Sequence, residues 1–146
     1  MISTITAALT RAMKAQDKER MRVLRGLKAA LMNRRIELKH DLTEAEGQEV
    51  LASEIKQREQ AIELYKQGKR MDLVDNDLAE IAIIREFLPR QLSVAEMEQE
   101  VMAAFQDLAA SSLSDMGRVM KHLKEKLGTS ADGKTLSDIV RSKLSG

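Results

Sequence analysis

Cysteine is absent from all 146 residues, which excludes disulfides, cysteine-held metal centres and a thiol nucleophile, and makes a reducing cytosol the expected setting. Tryptophan is absent too, and Tyr65, Phe87 and Phe105 are the only aromatics. All three fall on predicted buried seams or at a helix end, so a base-stacking platform is not expected. The sole proline, Pro89, leaves long stretches without a helix breaker. No run approaches the roughly 18 apolar residues of a membrane span, and no membrane partner is expected. The first 16 residues, MISTITAALTRAMKAQ, lack the continuous apolar core of a secretory signal. They are acid-free and rich in Ser and Thr, somewhat like a mitochondrial presequence, but their hydrophobic spacing reads as a first helix.

Catalytic chemistry is equally scarce. The two histidines, His40 and His122, lie in different portions and belong to no metal-ligand pattern. No nucleotide-binding glycine loop or nucleophile signature occurs. Asp72, Asp75 and Asp77 alternate in a way that invites calcium, yet the glycine and glutamate of an EF-hand loop are missing, and helix capping explains them better. Nine methionines at helical spacing read as core filler. Neither a catalytic residue, a metal nor a cofactor is expected.

What is present is helical periodicity and segregated charge. With 2% aromatic and 32% charged residues the composition predicts an all-α fold. The formal charge of +1 is strongly polarised: residues 11–40 hold +7, residues 41–64 hold −5, residues 71–107 hold −7 and residues 108–146 hold +3.

Seven helices are predicted. The first runs from about Ser3 to Ala15, with Ser3 available as a cap; the second, from about Lys18 to Leu38, is capped by Asp17 and buries Leu24, Leu27, Leu31 and Leu38. Beside that face Arg25, Lys28, Arg35 and Lys39 form a basic ridge. It is either a solvated face paired with acids such as Glu54 or Glu59, or a phosphate-tracking surface. Thr43 with Glu46 makes a capping box for the third helix, which reaches about Lys66, carries Arg58 at a core position and stops at Gly68. Asp72 caps a fourth helix, with Val74, Leu78, Ile81, Ile84 and Leu88 inward, expected to be the most buried element.

Pro89 ends that helix. Ser93 with Glu96 makes a second capping box, with Leu92 and Met97 as a staple. The fifth helix carries Val94, Met97, Val101, Phe105 and Leu108. The sixth, capped by Ser114, places Met116, Val119, Met120, Leu123 and Leu127 on one narrow stripe, with Gly117, Lys121 and Lys124 along the opposite flank. A glycine in a first helical turn costs about 0.5–1 kcal/mol, so close approach of a ligand or of a packed helix should justify Gly117. The seventh helix runs from about Lys134 or Thr135 to Leu144. The chain thus divides into a four-helix N-terminal portion, residues 1–88, and a three-helix tail, residues 93–146. Helix N-termini with exposed amides at Gly117 and near Gly133 would suit anions.

The blocks VLRGLKAALMN, LPRQLS, DMGRVM and ADG, the third followed by KHLKEKLGTSADG, resemble the GatB/YqeY family over the whole chain, close to its free-standing YqeY-like members. The resemblance implies a helical N-terminal portion and a small tail similar to the one with which the GatB subunit of tRNA-dependent amidotransferase helps to hold tRNA. Carried over residue by residue, it makes Gly117 and Lys121 RNA-contacting and Val119 and Met120 their packing support. With them, Arg118, Lys124, Gly133, Lys134 and the ridge Arg25, Lys28, Arg35 and Lys39 complete the candidate RNA-binding set. The catalytic portion of GatB is missing, so carbon–nitrogen ligase activity with glutamine as donor is not expected of this polypeptide alone. The leading expectation is a non-catalytic accessory protein that binds tRNA or another structured RNA in the cytoplasm. Its rivals are a protein-interaction adaptor and an accessory component acting with amidotransferase or other translation-related proteins.

Overall fold

The computed structural model describes residues 1–145, and among them there are seven α-helices and no strand. In order they are α1 (Ile2–Lys14), α2 (Lys18–Leu38), α3 (Glu44–Gln67), α4 (Met71–Arg85), α5 (Val94–Leu108), α6 (Met116–Leu127) and α7 (Gly133–Ser145). Short 3-10 turns at Leu113–Asp115 and Gly128–Ser130 bracket α6. The contacts separate into two compact units, one from Met1 to Leu88 and one from Pro89 onward.

In the first unit α1 packs on α2 and α3 on α4. Ala8 and Ala12 of α1 are buried beside Ile5, and such small side chains let two helices approach closely. The acid-free opening segment is therefore part of the core. Leu24, Leu27 and Leu31 of α2 are buried, each contributing on the order of 2 kcal/mol. They meet Leu51, Ile55 and Ile62 of α3 and Val74, Ile81 and Ile84 of α4. Gly47 is required by close approach: a Cβ there would lie 2.8 Å from the Cβ of Met1.

The local signals held where donor and acceptor are three residues apart. Asp17 accepts from the Arg20 amide, and Thr43 and Glu46 form the full capping box. Three expectations are corrected. Ser3 does not cap α1, which starts behind Met1 without a side-chain cap. Asp72 does not cap α4, because Lys69 turns left-handed (φ 57°) and Arg70 becomes the cap residue, leaving Asp72 inside the first turn. There Asp72 accepts from the Arg70 guanidinium, which holds its carboxyl below the usual range. The expected inward face of α4 is also only partly formed: the helix ends at Arg85, Leu78 is 51% exposed, and Glu80 is buried.

Glu80 explains Arg58. The Arg58 guanidinium donates to Glu54 at 2.9 Å and to Glu80 at 3.4 Å, Asn76 donates to Glu80 at 3.1 Å, and Arg22 stands 3.6 Å away. A buried charge survives only when paired and hydrogen-bonded. Burial and the neighbouring Glu80 raise the carboxyl of Asp77.

The second unit has its own core, Met97, Val101 and Ala104 of α5, Val119 and Leu123 of α6, Ala131, and Leu136, Val140 and Leu144 of α7. Ser93 and Glu96 form their capping box, and Leu92 packs into the cluster that holds Met97. Val94 does not join it and is exposed, because the cap places it on the outer side of the first turn. Gly128 takes φ 54° and ψ −133°, a backbone region open essentially to glycine alone. Four other residues with positive φ, Gln16, Lys39, Lys69 and Ala109, stand at helix ends and carry side chains.

Candidate nucleic-acid interface

α6 is amphipathic, and its burial sorts the motif into two sides. Val119 and Leu123 are fully buried, with Met116, Met120 and Leu127 packed against the same core. Gly117, Lys121 and Lys124 are exposed and recur at i, i+4 and i+7, one line of roughly 10 Å along the helix. Among the described residues no acid lies within ion-pair distance of Lys121 or Lys124, whereas Lys126 on the same helix is held by Glu100 at 2.9 Å. A Cβ on Gly117 would meet nothing within 4 Å. Helix packing within the chain therefore does not account for this glycine, and the surface beside the two lysines is open.

Arg118 is placed differently. Its guanidinium donates to the Leu108 carbonyl at 2.7 Å and to Asp115 at 2.9 Å, tying the end of α5 to the entry of α6. Asp115 also accepts from the amides of Ser111 and Ser112; those amides and Arg118 hold its carboxyl down at about 2. Asp115, not Ser114, organises this entry. Ser114 only shares a hydroxyl contact with Ser112. A replacement of Arg118 would consequently disturb the fold.

At the two helix starts some of the amides that could meet an anion are already engaged. The Asp115 amide donates to Ser112 and the Met116 amide to Leu113, through the 3-10 turn that leads into α6. At α7 the Asp132 carboxylate accepts from the amide and the hydroxyl of Thr135. The chain supplies its own anion there, and the spacing Asp132–Thr135 is a cap signal that the sequence reading missed. Gly133 and Lys134 are exposed in the first turn of α7.

In the first unit the ridge stands on α2, with Arg25 and Lys39 exposed and Lys28 and Arg35 partly covered. The expected pairing with α3 is not made. Glu54 is taken by Arg58, and among the described residues no acid reaches Arg25, Lys28, Arg35 or Lys39. His40 sits beside Asp41 and 3.6 Å from Glu46, as a polar loop residue. Among the described residues no cluster of His, Asp or Glu could hold a metal, and no helix is long and apolar enough to cross a membrane.

A family model described as Yqey-like protein matches residues 2–144. The chain is similar to proteins named altered inheritance of mitochondria protein 41, mitochondrial. It is 33% identical to the one from Lachancea thermotolerans over 108 residues, 73% of this chain and 57% of that protein. To the one from Kluyveromyces lactis it is 32% identical over 117 residues, 77% of this chain and 63% of that protein. The Pyrenophora tritici-repentis protein is 25% identical over 97% of this chain and 79% of its own length. The chain thus spans less than two thirds of the first and second of these relatives. Their names overturn the cytoplasmic placement expected from composition. A lack of cysteine fits any reducing compartment, the mitochondrial matrix as well as the cytosol, so it never discriminated between them.

Proposed function

Because the chain belongs to the YqeY-like protein family, we propose that it is a non-catalytic RNA-binding accessory protein whose second unit works as a three-helix tail on structured RNA such as tRNA. The observation that carries this reading is the line Gly117, Lys121, Lys124 on α6: two lysines without an acidic partner among the described residues, beside a glycine whose missing side chain leaves open surface. Such a line suits a phosphate backbone, since the lysines supply charge and the glycine lets a sugar or phosphate come close to the helix. Lys134, exposed at the start of α7, adds a third cation in the same unit. Arg118 acts as a positioning residue, because its donors are already engaged. The similarity of this block to the tail of the GatB subunit supports the same reading, and RNA binding is the activity proposed. The α2 cations are left out, because exposed apolar side chains stand among them and phosphate contacts have no use for those.

Titration of fluorescent tRNA with the full chain tests this. With about three phosphates neutralised, log affinity should fall against log salt with a slope of roughly −2 to −3. Lys121→Glu combined with Lys124→Glu should weaken binding at least tenfold with an unchanged circular dichroism spectrum. Affinity indifferent to salt, or to the double substitution, overturns the proposal.

A further inference from the structure

α2 carries two apolar seams, and only one of them is used by the core. Val23, Leu24, Leu27 and Leu31 point inward and are buried. On the other side Ala29, Met32 and Ile36 recur at i, i+3 and i+7 and face solvent, Met32 at 37% and Ile36 at 70% exposure. Arg25, Lys28, Arg35 and Lys39 lie on or along one border of this outer seam, within about 80° of the helix circumference and over roughly 21 Å of its length. The remaining arginines of α2 have partners: Arg20 has Glu86, Arg22 has Glu80 and Arg34 has Glu37. The four border cations have none among the described residues.

Each class of occupant makes a different demand on this face. A nucleic-acid backbone would use the cations and leave Met32 and Ile36 idle. A second copy meeting the first through the same seam would set four cations against four, a costly juxtaposition. An anionic bilayer would gain from the charge but from only two sizeable apolar side chains. A helix with an apolar stripe bordered by acids satisfies both features at once: its stripe covers Ala29, Met32 and Ile36, and its acids meet the four cations. The i, i+3, i+7 spacing is that of helix-on-helix anchors. We propose that the outer face of α2 is a docking surface for an acidic amphipathic helix of another protein, about four turns long.

The probe is a fluorescent 18-residue peptide with leucines at i, i+3 and i+7 and glutamates on the flanks, titrated with the full chain. It should bind, and a peptide of the same composition with scattered leucines should bind at least tenfold more weakly. Met32→Ser with Ile36→Ser should weaken peptide binding at least fivefold, and Arg35→Glu with Lys39→Glu should abolish it, with helicity unchanged in both. The pair Lys121→Glu and Lys124→Glu should leave peptide affinity as it was, so this proposal and the RNA reading fail separately. Equal affinity for the scattered control, or no binding of the ordered peptide, overturns it. So does a seam substitution that weakens binding of tRNA, or of vesicles containing phosphatidylserine, while the peptide is not bound.

Discussion

Arg58 and Gly117 were both visible in the sequence as residues out of place, and only one of them was explained by the fold. Arg58 interrupts the apolar seam of α3 because Glu80 is buried opposite it. That partner was not legible, since the pairing depends on how α3 and α4 register in space, whereas spacing along one helix reports only its own neighbours. Arg58→Ala should lower the stability of the first unit by about 3 kcal/mol in urea unfolding, because it takes from a buried carboxylate its closest charged partner. Gly117 keeps no internal reason: space is open around it and its backbone is helical. Gly117→Ala should therefore stabilise the protein by about 0.5–1 kcal/mol and at the same time weaken tRNA binding. A stabilised variant that binds tRNA as before would remove the glycine from the proposed interface.

The elements were legible to within a turn, and the reasons for success and failure are local. Asp17, the Thr43–Glu46 box and the Ser93–Glu96 box were read correctly, because a cap is a bond between residues three apart. Ser3, Asp72 and Ser114 were misread, because the backbone that enters the helix decides the cap: α1 starts directly behind Met1, Arg70 takes the cap position of α4, and Asp115 takes that of α6. Of the proposed RNA contacts, Lys121 and Lys124 could be placed on the outer side of α6 from periodicity alone, but the engagement of Arg118 with the end of α5 could not. Two helix starts in the second unit depend on carboxylates held down at about 2: Glu96, mainly by Arg90 and then by the Ser93 amide, and Asp115, mainly by the Ser111 amide and then by Arg118. A carboxylate whose pKa is lower folded than unfolded favours the folded state while ionised. That contribution is complete above the ordinary carboxylate range and is lost as pH falls toward about 2. The second unit should accordingly destabilise between about pH 4.5 and pH 2, and Asp115→Asn should flatten that dependence, as followed by thermal unfolding across a pH series.

For the whole molecule, composition was enough for the all-α class: few aromatics, one proline and a high share of charged residues fit helices and not a sheet. Each unit has its own core, and each presents cations that no acid among the described residues neutralises, on α2 in one and on α6 in the other. The sequence showed that charge was segregated. It could not show which charges cancel, because Arg20, Arg22 and Lys126 find acids far away along the chain while, among the described residues, Lys28 and Lys121 do not. Heat tolerance adds a last consequence. Gln16, Lys39, Lys69 and Ala109 hold a left-handed backbone at helix ends with a Cβ in place, at a cost of about 1–2 kcal/mol each compared with a residue that has none. Lys69→Gly and Ala109→Gly, one in each unit, should each raise the melting temperature by a few degrees in calorimetry, after the entropy that glycine adds to the unfolded chain is offset. At Lys69 and Ala109 the fold has been left with room to become more thermostable, without touching either core or either basic face.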